Sequence, residues 1–121
     1  MTDTTKARLR ENVMTDLEMT RLAAEAMGYV PFGPGDTPDG ERWLTQVAGL
    51  IYDPLHDDAQ AMAMVKKLRL NVWSSGPDNP NWRVMGFWRE PSGALHEPDA
   101  WNADLNRAIV ECVARMMQQR K

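Results

Sequence analysis

Three clusters of chain breakers divide this sequence before any apolar pattern is considered. Residues 31–41 (PFGPGDTPDGE) hold three Pro and three Gly, and SGPDNP at 75–80 and EPSG at 90–93 repeat the theme. Proline fixes φ and lacks an N–H, and glycine weakens any regular element, so neither helix nor strand is expected to propagate through 31–41, which reads as a loop. Everything between the clusters must be short. Short connections favour antiparallel pairing.

The segments then sort by period. Thr15 and Glu18 have capping-box spacing, Leu17, Arg21, Ala24 and Leu22, Ala26 follow helical spacing, and Gly28 can supply a left-handed C′ residue, predicting a helix over 16–27. Residues 42–46 and 50–53 read as strands of a hairpin turning at Val47-Ala48-Gly49. Asp57 looks like an N-cap with Gln60 at capping-box spacing. Ala61, Met64, Val65 and Leu68 form an apolar stripe with acids before it and Lys66, Lys67 and Arg69 after it, predicting a second helix over 58–69. A second hairpin is expected from 70–74 and 82–87, with Trp82 and Val84 facing one way and Arg83, Met85 and Phe87 the other. Ala94 to His96 adds an edge strand. The last helix is expected to begin near Asp99 or Asn102, with Trp101, Leu105, Ala108, Ile109, Cys112, Val113 and Met116 on its apolar face. The order helix, hairpin, helix, hairpin, helix makes an α+β domain: an antiparallel sheet of four or five strands with three helices in two or three layers. Residues 1–13 read as an N-terminal extension, flexible or a short helix, ahead of a single domain over 14–121.

Composition narrows the function classes. The 121 residues are 43% hydrophobic and 26% charged, which suits one globular unit. A net charge of −3 gives no strong nucleic-acid signal. One Cys cannot form an internal disulfide, and with two His it falls short of a dedicated zinc site, so a reducing cytoplasm is the expected compartment. No run is apolar enough for a membrane span or a signal peptide.

Several groups are candidates for chemistry. Asp53, Asp57 and Asp58 could hold a divalent cation or do acid/base work if their oxygens converged; the bland alternative is a cap and a dipole partner. His56 and His96 lack ligand-spaced partners, and Cys112 on an apolar stripe reads as a buried thiol. The five Trp should mostly be core, with Trp88 beside Arg89 expected to be the exposed one. Arg107, Arg115, Arg120 and Lys121 give the last helix a basic end. Arg107 and Arg115, with Trp88 and Arg89 as a stacking platform, are the candidate ligand-binding set for a phosphate-bearing nucleotide. No cofactor or metal is expected.

The run Tyr52-Asp53-Pro54-Leu55-His56-Asp57-Asp58-Ala59-Gln60-Ala61, followed by Met64-Val65, Leu68 and Leu70-Asn71-Val72, resembles the aromatic-x-Pro-Leu-x-Asp-Asp-x-x-Ala pattern of small bacteriophage and prophage proteins similar to the phage ABA sandwich domain family. Leu22 to Gly28 looks like that family's opening helix and Asn106 to Val110 like its closing one. Residues 1–13 and the 31–41 segment depart from the pattern. The resemblance implies a sheet between helical layers, with Tyr52, Pro54, Leu55, Asp57 and Asp58 as structural residues and no active site. It implies a non-enzymatic accessory protein of the host bacterial cytoplasm that acts by binding, with counter-defence against a host protein as the first expectation. A sponge for a cyclic-nucleotide or ADP-ribose-type immune signal is the second, and a divalent-metal-dependent hydrolase on the three aspartates the third. A homodimer through a sheet face or the last helix is compatible with the pattern, although no heptad enforces it.

Overall fold

A computed structural model describes residues 14–37, 40–45 and 51–120, with side chains described outside 31–45. The extension 1–13 and the turn at 47–49 lie outside the described residues. The chain is α+β: α1 (Asp16–Ala26), β1 (Pro31–Thr37), β2 (Gly40–Thr45), β3 (Ile51–Tyr52), α2 (Asp58–Leu68), β4 (Asn71–Ser74), β5 (Trp82–Met85), β6 (Trp88–Arg89), β7 (Leu95–His96), β8 (Asp99–Asn102) and α3 (Leu105–Arg120). The strands fall into three antiparallel groups, β1-β2-β3, β4-β5-β8 and the ladder β6-β7. No helix among the described residues is long and apolar enough to cross a membrane.

All three helices begin where the side chains can cap them. Thr15 Oγ1 accepts from the Glu18 N–H at 3.1 Å while Glu18 accepts from the Thr15 N–H at 3.4 Å, completing the box. Gly28 at φ +79° closes α1, letting the Tyr29 N–H reach the Ala24 carbonyl at 2.9 Å. Asp57 caps α2 through the Gln60 N–H at 3.1 Å, but Gln60 does not return the bond. Its amide instead accepts from the Asp53 N–H at 2.7 Å and donates to the Ile51 carbonyl at 3.1 Å, tying the end of β3 to the first turn of α2. At α3 the Asp104 carboxylate accepts from the Asn106 and Arg107 N–H groups.

Two segments differ from the sequence reading. Most of the segment read as a loop is strand: Pro31–Thr37 pairs with Gly40–Thr45 from Pro31↔Thr45 to Thr37↔Gly40, with an irregularity between Pro31 and Gly33. Proline is tolerated on an edge strand, where its missing N–H faces no partner, and β1 is the edge of its group. Residues 99–102 are not the start of the last helix but strand β8, paired with β5 from Trp82↔Asn102 to Met85↔Asp99. The 3- and 4-residue spacing that linked Trp101 to the stripe therefore ran across a strand-to-helix turn.

The core gathers on α3. Ala108, Ile109, Val110, Cys112, Val113 and Ala114 are fully buried, with Met116 nearly so. Helix α3 packs on α1, α2, β5 and β8. Ala23 and Ala24 of α1, also fully buried, let that helix approach closely. Val84 and Ala100 supply the floor from β5 and β8. Each fully buried Ile or Val adds about 1.5–3 kcal/mol. Polar side chains tie the helices at the rim: Arg107 to Asp16 at 2.7 Å, Asn106 to Asp58 at 2.8 Å, and Lys67 to the Met27 carbonyl at 2.5 Å.

Arg69 closes α2 at φ +54°, a left-handed conformation that a side chain disfavours, and it is exposed. Arg69→Gly is therefore expected to stabilise the protein by roughly 0.5–1 kcal/mol in urea unfolding, while Thr15→Ala should destabilise it by about 1 kcal/mol. A loss of stability in Arg69→Gly would contradict the geometry of that cap.

Candidate functional site

The group β4-β5-β8 has two unlike faces. Val72, Val84 and Ala100 are aligned across it, with Val84 and Ala100 buried and Val72 against the core. One residue along, Trp73, Arg83 and Trp101 are aligned in turn, Trp73↔Arg83↔Trp101, and they point the other way because side chains alternate along a strand. Trp73 is 45% and Trp101 51% exposed. The guanidinium carbon of Arg83 lies 5.4 Å from the Trp73 ring centre and 5.1 Å from that of Trp101, a cation–π contact on both sides.

Asp99 and the β4–β5 turn complete the surroundings. Arg83 Nε lies 3.4 Å from Asp99 Oδ2, within ion-pair range but without a hydrogen bond. Arg115 reaches across from α3 and donates to the Asp99 carbonyl at 2.5 Å. A cleft of about 400 Å³ opens here, lined by Trp73, Ser74, Ser75, Asn79, Arg83 and Trp101. The Ser75 hydroxyl oxygen is buried with no hydrogen-bond partner, as is Arg83 Nε. Buried polar atoms without partners are uncommon and costly, so two of them at one cleft mark it as a place that can receive a hydrogen-bonding group.

The sequence-derived candidates are distributed otherwise. Arg107 is engaged by Asp16, and Arg89 donates to the Gly93 carbonyl at 2.7 Å. Trp88 is partly buried, stacked on His96 with ring centres 4.2 Å apart, and donates its indole N–H to Gln119 at 3.0 Å. Among the described residues the exposed tryptophans are thus Trp73 and Trp101, not Trp88. Of the candidate set, Arg115 alone reaches the Asp99 side of the cleft. The pairing that aligns Trp73, Arg83 and Trp101 depends on β8, which the sequence reading folded into a helix. The alternation of β5 had already placed Arg83 opposite Val84.

The three aspartates serve separate purposes. Asp53 grips His56 Nδ1 with both carboxylate oxygens at 2.9 and 3.0 Å, Asp57 caps α2, and Asp58 accepts from Asn106. Among the described residues no group of three or more His, Cys, Asp or Glu could hold a metal ion. Tyr52, Pro54 and Leu55 are buried, Tyr52 edge-on to Tyr29 at 5.3 Å. Burial pushes the Tyr52 hydroxyl up, and the neighbouring Tyr29 adds to the effect.

His96, stacked under Trp88, bonds Glu90 at 2.7 Å, and Ser92 donates to the same carboxylate at 3.1 Å. These bonds, that from His96 first, hold the Glu90 carboxyl below its usual range. Burial pushes the Cys112 thiol up to about 12, beneath the Gly86 backbone and against the Pro98 carbonyl.

No protein-family model matches the chain, and no curated protein matches it.

Two outcomes are expected. A carboxyl with a lowered folded pKa contributes stability in full above its unfolded value and loses it as pH falls through the folded one, so Glu90→Gln should flatten the acid limb of the melting temperature plotted against pH. Native protein at neutral pH should leave Cys112 unmodified by a thiol-reactive dye and release it only on unfolding; labelling faster than unfolding would show that the burial is not maintained.

Proposed function

We propose that this chain is a phage or prophage accessory protein that acts without catalysis, by binding a host protein in the bacterial cytoplasm as a counter-defence factor, and that its binding surface is the outer face of β4-β5-β8. The observation that carries this reading is the row Trp73, Arg83 and Trp101, two half-exposed indoles around one arginine. Tryptophan and arginine supply a disproportionate share of the energy at protein interfaces, because each combines a large contact area with hydrogen-bonding or cationic character. Leaving two indoles in water on a small protein has a cost that a partner recovers. The phage assignment is supported by the Tyr52–Ala61 resemblance, whose residues here end a strand and cap a helix, the structural role the resemblance implies.

The same cleft favours sequestration of a cyclic nucleotide or ADP-ribose-type signal as a second reading, since an indole can stack on a base while an arginine meets a phosphate. In that reading Arg83 and Arg115 are the cations, because Arg107 is occupied by Asp16.

The deciding experiment immobilises the protein, passes host lysate over it, and compares wild type with Trp73→Ala/Trp101→Ala. A protein captured stoichiometrically by wild type and lost from the double variant is expected. Capture that survives in the variant would remove the sheet face from the reading. Heat on titration with cyclic dinucleotides or cyclic ADP-ribose isomers, without protein capture, would replace it with the second reading.

A further inference from the structure

Arg83 is held on three sides and open on the fourth. Its guanidinium carbon lies over the Trp73 ring on one flank and the Trp101 ring on the other, and Asp99 stands at Nε. Among the described residues Asp99 is its only ion-pair partner. A guanidinium flanked by two aromatic rings has fewer open rotamers, so less rotamer entropy is lost when its terminal N–H pair meets an acceptor. The indole walls also lower the local dielectric, which strengthens a charge-assisted bond made between them. The complementary group is a planar oxyanion approaching from the cleft. The cleft rim carries Ser74, whose Oγ accepts from the Gly76 N–H, Asn79, whose Oδ1 accepts from the Asn81 N–H, and the Ser75 hydroxyl, buried without a partner.

Charge and shape favour a carboxylate over a phosphate monoester, and the planar carboxylate over a tetrahedral phosphodiester. The chain is net acidic at −3, and Asp99 already stands 3.4 Å from Arg83. A phosphate monoester dianion would meet repulsion from that carboxylate at close range, whereas a single carboxylate brings half that charge and fits one side of the guanidinium bidentately. The outward indole surfaces then cover whatever apolar side chains flank that acid.

We propose that Arg83 is the anchor for one carboxylate in an acidic segment of the partner protein, received between Trp73 and Trp101, with apolar residues on either side of the acid seated on the two indoles. This rests on the outer sheet face being the binding surface, and it names the chemistry that face selects.

The test uses four probes: a capped heptapeptide with one glutamate between two leucines, its glutamine counterpart, N-acetylglutamate amide, and AMP. Binding is followed by calorimetry and indole fluorescence on wild type, Arg83→Lys and Arg83→Gln, each checked for an unchanged melting temperature. The glutamate peptide should bind at least about tenfold tighter than the glutamine peptide. Arg83→Lys, which keeps the charge and loses the fork, should weaken it by about tenfold, and Arg83→Gln should abolish the preference. Binding of N-acetylglutamate amide with the same Arg83 dependence, at lower affinity, locates the acid contact; the affinity gained by the peptide locates the flanking contacts. Equal binding of the two peptides, or no binding of either at about 10 mM, overturns the proposal. So does AMP binding in preference to the glutamate peptide. Lysate capture lost in Trp73→Ala/Trp101→Ala but kept in Arg83→Gln would sink the carboxylate anchor and leave the protein-binding reading standing, whereas capture indifferent to all these changes sinks both.

Discussion

The burial of α3 governs the rest of the molecule. From Ala108 to Met116 almost every side chain but Glu111 and Arg115 is out of water, so this helix must be covered on more than one side. Helices α1 and α2 cover it on one side, and β5 and β8 on another. Four elements distant in sequence are thereby fixed in space by one. The strands owe their placement to this as well: β8 is a four-residue segment immediately before α3, and it can lie on that helix only by turning back through Ala103 and Asp104, whose carboxylate caps the new helix.

Covering α3 also determines which sheet face is left over. The inward row Val72, Val84 and Ala100 is consumed by the core, and alternation leaves the outward row Trp73, Arg83 and Trp101 half-exposed among the described residues. Two large aromatic residues on that row are not needed for the core, which is built mainly from Ala, Met, Leu and Val. Small residues at the helix contacts and tryptophans on the open face are the reverse of what stability alone would select. That inversion is why the outer face, and not the basic end of α3, carries the functional reading.

Much of the fold was legible because its signals are local. The box at Thr15 and Glu18, the Asp57 cap, Gly28 after α1 and the stripe of α3 from Leu105 onward each depend on residues three or four apart, and each stands where the spacing placed it. What was not legible depends on distant pairing. Prolines at 31 and 34 oppose a strand unless that strand is an edge, and nothing in 31–41 announces that it is one. Residues 99–102 carry a helix-compatible spacing that packing on β5 overrides. Arg83 was placed on the correct face, yet its two tryptophan neighbours come from strands ten and eighteen residues away, and only register brings them together. Trp88 looked exposed beside Arg89 because its partners, His96 and Gln119, lie farther along the chain.

The arginines show how the same residue type divides between scaffold and surface. Arg107 faces Asp16 across the α1–α3 contact, and at its exposure such a pair contributes at most about 1 kcal/mol. Arg115 meets a backbone carbonyl and fixes the relation of α3 to β8. Arg83 differs from both, because its neighbours are aromatic and its one acid is poorly aligned. An arginine whose structural partner were optimal would have its Nε satisfied; here it is buried without a hydrogen bond. The indoles meet the guanidinium through their ring faces, which leaves the terminal N–H groups unspent. Asp99 therefore steers the side chain without saturating it, and the directional capacity that is left points where the sheet is open.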